Sequence, residues 1–108
     1  MPNNPMKSVG FVNSGAATIT DYAVGAGRHY VKIDGLTAQG GTLTITFSDK
    51  AAGTYVAIQA GTGLAPTVDG TIEFDTSDGC LKFVLSWGST GNVNIFEQCI
   101  LGRGSNWY

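Results

Sequence analysis

The sequence predicts an all-β chain: an antiparallel β-sandwich, the jelly roll being one arrangement within that class, with about eight short strands and an extended arm at each terminus. Three observations carry this. Sixteen glycines are spread along the chain and punctuate short runs rich in Val, Ile, Thr, Phe and Tyr, as strands ended by turns do. Two runs alternate strictly, one side chain to each face. No segment holds a helical period over about ten residues, so no crossover helices are available to join parallel strands. A small barrel fits the same pattern, and the pattern leaves the connectivity open.

The strands follow in order. SVGFV (8–12) and AATITDY (16–22) come first, then RHYVKID (28–34) with Val31 and Ile33 inward and Arg28, Lys32 and Asp34 outward. His29 falls on the inward phase and Tyr30 on the outward one. TLTITFS (42–48) is the clearest, with Leu43, Ile45 and Phe47 inward and the three threonines outward. GTYVAIQ (53–59), GTIEF (70–74), CLKFVLSW (80–87) and NVNIFEQCIL (92–101) complete the set. SDKAAGTY (48–55) has room for one helical turn before Gly53 stops it.

With 108 residues the chain makes one domain, 1–108, large enough for a core without metal or disulfides. Residues 1–8, with two prolines and two asparagines, read as an N-terminal arm, and 102–108 as a C-terminal arm ending in Trp107 and Tyr108. Charged residues are only 13% of the chain, about half the usual share, which suits a protein packed beside neighbours. A net charge of −2 with six dispersed Lys and Arg argues against nucleic acid and anionic membranes, both of which need a basic face. No apolar run approaches the roughly 20 residues that span a bilayer, and MPNNPMKSVG lacks the layout of a signal peptide.

Both cysteines lie in the stretch from Cys80 to Cys99. Read as a hairpin turning at 88–91, one register faces Cys80 with Cys99 and Lys82 with Glu97. A slip of one residue instead gathers Leu81, Phe83, Leu85 and Trp87 with Val93 and Ile95. Burying those side chains, at roughly 1.5–3 kcal/mol each, outweighs a short-loop disulfide worth about 3 kcal/mol. The expectation is therefore a core hairpin with two reduced, buried thiols.

Chemistry is sparse. His29 is the only histidine; with a cysteine and an acid it could form a thiol site, but no cysteine-enzyme signature surrounds either thiol, and a place in a strand face is expected. Two Cys and one His without CxxC spacing do not make a zinc site. DTSDG (75–79) offers two carboxylates, which an Asx-type turn explains as well as calcium does. GAGRH (25–29) and GTG (61–63) read as turns, since no helix follows to hold a phosphate. No catalytic residue, metal ligand or cofactor site is expected, and the chain is not expected to be an enzyme. Trp87 and Tyr55 are expected in the core. The candidates for protein interaction are on the arms: Met1, Pro2, Asn3, Asn4, Pro5, Arg103, Trp107 and Tyr108, exposed aromatics being common hot spots.

Gly41-Thr42-Leu43-Thr44-Ile45, Gly53-Thr54-Tyr55-Val56 and Lys82-Phe83-Val84-Leu85 appear in an order that resembles small β-rich virion proteins of tailed bacteriophages, over about residues 28–100. The resemblance implies a capsid decoration (cement) protein: oligomeric, commonly a trimer, without cofactor, binding the major capsid protein or another virion protein, and resident in virions assembled in host cytoplasm. A small tail or fibre protein and a carbohydrate-binding adhesin are the alternatives.

Overall fold

The computed structural model describes residues 7–14, 17–58, 64–86 and 90–101. Among the described residues there are eight strands, β1 (Lys7–Ser14), β2 (Ala17–Val24), β3 (Gly27–Asp34), β4 (Thr42–Ser48), β5 (Val56–Ala57), β6 (Gly70–Thr76), β7 (Gly79–Ser86) and β8 (Thr90–Leu101), and one helical turn, α1 (Leu36–Gln39). They form two four-stranded sheets in the orders β1-β8-β3-β6 and β2-β7-β4-β5. β1 pairs with β8, β2 with β7, β3 with β6 and β4 with β5, all antiparallel, as if one long hairpin had been rolled up. The β3–β8 and β4–β7 pairings complete the sheets. This is the strand order of an eight-stranded jelly roll, so the expected sandwich is found in its jelly-roll form. Lys7 and Ser8, read with the N-terminal arm, open β1.

The alternating residues build the core. Val31 and Ile33 of β3, Leu43 and Ile45 of β4, Leu81, Phe83 and Leu85 of β7, and Val93 and Ile95 of β8 are all buried in one cluster. Each strand therefore buries one face, and the two faces meet between the sheets.

The expected hairpin does not form. β7 and β8 belong to different sheets. The apolar face of β7 meets Val93 and Ile95 across the sandwich rather than beside them, so neither register conflict arises. Cys80 instead faces Ala23 and Ser48, and Cys99 faces His29. Both thiols are free and buried, as expected.

Two local expectations are corrected. The helical turn lies at 36–39, not within 48–55, and it buries Leu36 between two left-handed glycines, Gly35 (φ 98) and Gly40 (φ 64). A Cβ on Gly35 would strike the Asn92 carbonyl oxygen, so no other residue fits there. GTYVAIQ contributes only the two residues of β5, because the chain before it is held over the outside of the β2-β7-β4-β5 sheet. Asp21, at a bulge in β2 with φ 60, accepts the Ala52 N–H at 2.9 Å and bonds the Tyr55 hydroxyl. Tyr55 thus leaves the core expected for it; its ring lies 5.7 Å from Lys82 Nζ, on the face opposite Leu81 and Phe83.

The four sheet edges are poor templates for adding a strand. β1 and β2 carry bulges, β5 is two residues long, and β6 presents exposed Glu73 and Asp75.

Candidate functional site

The chemistry of the fold collects at one end of the β1-β8-β3-β6 sheet. The inward phase of β3 reads His29, Val31, Ile33, and that of β8 reads Val93, Ile95, Glu97, Cys99. Antiparallel pairing sets His29 opposite Cys99 and also opposite Phe74 of β6. The polar members of these runs therefore meet beneath the turns at 25–26 and 77–78.

His29 is completely buried and Glu97 is 5% exposed. His29 Nδ1 lies 2.7 Å from Glu97 Oε2, and Nε2 lies 2.7 Å from Thr76 Oγ1. The imidazole stacks on Phe74 at 5.5 Å. From the opposite sheet, the Tyr22 hydroxyl donates to Glu97 Oε1 at 3.4 Å, and its ring packs edge-on against Phe83. A carboxylate only accepts hydrogen bonds, so Nδ1–H of His29 donates to Glu97. In the neutral ring this sets the tautomer, and Nε2 then accepts from the Thr76 hydroxyl.

Burial, reinforced by the Glu97 charge and hydrogen bond, pushes the Tyr22 phenol up to about 12. Burial, and then the charge of Glu97, push the Cys99 thiol up as well. Its Sγ–H donates to the Gly25 carbonyl at 3.7 Å. A thiol held protonated in this way is a poor nucleophile, and both His29 nitrogens are already engaged, so the Cys–His pair weighed from the sequence is not assembled.

The order carboxylate, imidazole, hydroxyl is nonetheless that of a nucleophile, base and orienting group. Two features weigh against attack by Thr76. Its β-methyl crowds the oxygen, and the imidazole that would take the proton is sealed on all sides and stacked on Phe74. The arrangement accounts for a fully partnered buried network.

The acidic turn is a joint, not a cation cradle. Asp78 accepts the Ala26 N–H at 2.9 Å, tying the two turns together. Asp75 receives Arg28 Nε and Nη2 at 3.0 and 3.1 Å, and these bonds hold its carboxyl below the usual range. Arg28 also pairs with Glu73. Among the described residues no group of His, Cys, Asp and Glu could hold a metal ion, and no helix is long and apolar enough to cross a membrane.

Beside this network an open cleft of about 230 Å³ separates the ends of the two sheets. Phe47, Ala57 and Ile58 form one wall, and Asp75, Thr76 and Ser77 the other. The ring of Phe47 lies across Gly79, where an added Cβ would come within 2.6 Å of it.

The inward place of His29 was read from alternation. Glu97 is absent from the sequence candidates, although the count from Val93 and Ile95 puts it on the same inward phase; it enters there only as a partner of Lys82 in the register that core burial outweighs. Tyr22 and Thr76 gave no sequence signal, because a bulge and a sheet-to-sheet contact bring them in. The arm candidates Met1, Pro2, Asn3, Asn4, Pro5, Arg103, Trp107 and Tyr108, together with Trp87 and GTG at 61–63, lie outside the described residues. Comparison with protein-family models, curated proteins and solved structures finds no match.

Proposed function

We propose that this chain is a structural protein of a tailed-bacteriophage virion: a capsid decoration protein without enzymatic activity that binds the major capsid protein lattice and associates with copies of itself, as a trimer. The observation that carries the reading is where the resembling motifs fall. Gly41–Ile45 and Lys82–Leu85 are separated in sequence, yet β4 and β7, which hold most of them, are neighbours in one sheet, and Val56 of Gly53–Val56 pairs with Phe47 at the far edge of β4. The resembling motifs thus fall on one sheet rather than on scattered fragments.

Other features favour it. The jelly roll is an architecture used in capsid domains. The ionisable core is internally partnered, and the sheet edges are blocked, so recognition is left to faces and arms. Added area buried at joints between lattice subunits would supply the stabilisation.

The test is co-sedimentation of the purified protein with capsids stripped of it, beside a variant lacking residues 102–108. Saturable binding that is lost on truncation is expected. Failure of the folded, intact protein to bind overturns the decoration role and moves the weight to a tail or fibre component.

A further inference from the structure

We propose that the cleft between the ends of the two sheets is a binding site for a single neutral sugar ring. This goes beyond an assembly role and does not depend on it. The cleft is lined by Phe47, Ala57 and Ile58 on one side and by Asp75, Thr76 and Ser77 on the other. Its volume of about 230 Å³ lies below the range of roughly 300–1,000 Å³ typical of drug-sized ligands. It has room for one pyranose.

The walls are unlike each other in the way a sugar requires. A pyranose has an apolar C–H face and a rim of hydroxyls. Phe47 presents an aromatic surface for the first, held in place because Gly79 has no Cβ to displace the ring. Thr76 and Ser77, both hydroxyl-bearing, line the wall that would meet the second.

The buried network bears on this contact. His29 Nδ1 lies 2.7 Å from Glu97 Oε2, and Nε2 lies 2.7 Å from Thr76 Oγ1. One bond of the Thr76 hydroxyl is thereby committed to the imidazole, and its remaining capacity is for a partner in the cleft. A sugar hydroxyl, which both donates and accepts, suits it. Asp75, also in this wall, shares Arg28 with Glu73, so its carboxylate can accept from a sugar hydroxyl as well; what selects a sugar ring over a small cation is the aromatic wall at Phe47.

The ring could be a free monosaccharide or the terminal residue of a glycan chain. The probes are D-glucose, D-galactose and N-acetyl-D-glucosamine, each as free sugar and as methyl glycoside, titrated into 15N- and methyl-labelled full-length protein and followed by NMR. A ligand of this size is expected to bind with a Kd on the order of 1 mM. Saturable shifts should appear at Phe47, Ala57, Thr76 and Ser77, and weaken about tenfold or more in both Ser77→Ala and Phe47→Leu. Ser77 is exposed, so its variant stays folded whatever happens to Phe47→Leu or to Thr76→Val, which should also lose binding. Binding of both forms places the ligand at a chain terminus; binding of the reducing sugar alone points to a free monosaccharide. Absence of saturable shifts with all six probes overturns the proposal, as do shifts elsewhere on the protein or shifts indifferent to the Ser77 and Phe47 substitutions. None of these results depends on whether the protein binds capsids.

Discussion

Replacing Glu97 by alanine should be among the most damaging single changes this fold can suffer. The carboxylate is 5% exposed and its imidazole partner 0% exposed, so neither side chain has water to turn to. Alanine leaves the His29 Nδ1–H without an acceptor, at a cost of about 1–3 kcal/mol. It also deprives the Tyr22 hydroxyl of its partner. That loss is worth about 1 kcal/mol, and the one methylene removed, since alanine keeps Cβ, contributes about 0.8 kcal/mol more. The sum, about 3–5 kcal/mol, agrees with the range for breaking a buried pair from one side. Against a total of about 5–15 kcal/mol for a native domain, the variant should fold only marginally. Its Tm should drop by about 15–25 °C, at roughly 5 °C per kcal/mol for a domain of this size.

Urea unfolding followed by circular dichroism measures the change, and two further variants apportion it. Glu97→Gln keeps the shape and loses only the charge assistance, and should cost about 1–2 kcal/mol. The double change His29→Leu with Glu97→Leu removes both partners. It should cost less than the sum of the singles, with a coupling of about 2 kcal/mol or more. A loss below about 1 kcal/mol in Glu97→Ala, or strictly additive singles, would refute the reasoning, since the pair would then be either solvated or apart.

Four further outcomes are expected. Gly35→Ala should destabilise by about 2–4 kcal/mol, because it combines a left-handed backbone with a clash against Asn92. Gly40→Ala, also left-handed but with open space around it, should cost only about 1–2 kcal/mol; equal losses in thermal melts would contradict the close approach at Gly35. Raising the pH should also destabilise the wild type. The folded Tyr22 phenol keeps its proton to about 12, whereas the unfolded one releases it near 10. Stability therefore falls as pH rises through that window, by about 1 kcal/mol once solvent screening of a half-buried group is discounted, and Tyr22→Phe should flatten this part of the curve. Ellman's reagent should find no reactive thiol in the native protein and two after unfolding without reductant; one or none after unfolding would mean that the cysteines are bonded. A fluorophosphonate probe should leave Thr76 unlabelled, and labelling abolished by His29→Gln would overturn the non-enzymatic reading.

The parts of the fold that were legible in the sequence are those governed by alternation. TLTITFS and RHYVKID placed Leu43, Ile45, Val31 and Ile33 in the core, and they placed His29 there as well, because period-two patterning is a local property. What was not legible depends on which sheet a strand joins. CLKFVLSW and NVNIFEQCIL look like the arms of a hairpin, and only sandwich closure shows that their apolar faces meet across the core. A hairpin leaves β8 beside β7 rather than beside β3, and so hides the bond from Glu97 to His29. Tyr55 failed for a different reason: an aromatic residue in a strand-like run was drawn out of register by Asp21, a polar residue at a bulge thirty-four positions away. The site at the end of the sandwich was visible as one residue, His29. Thr76 and Tyr22 joined it through contacts that no spacing rule encodes.

The central claim is that the chain is a component of a capsid surface, and the most direct measurement is the occupancy of reconstituted capsids imaged by electron cryomicroscopy. Stripped capsids incubated with excess purified protein should show the two-sheet domain at equivalent lattice positions, clustered as trimers on the outer face. Bare lattices, with the folded protein left free in the supernatant, would contradict the account.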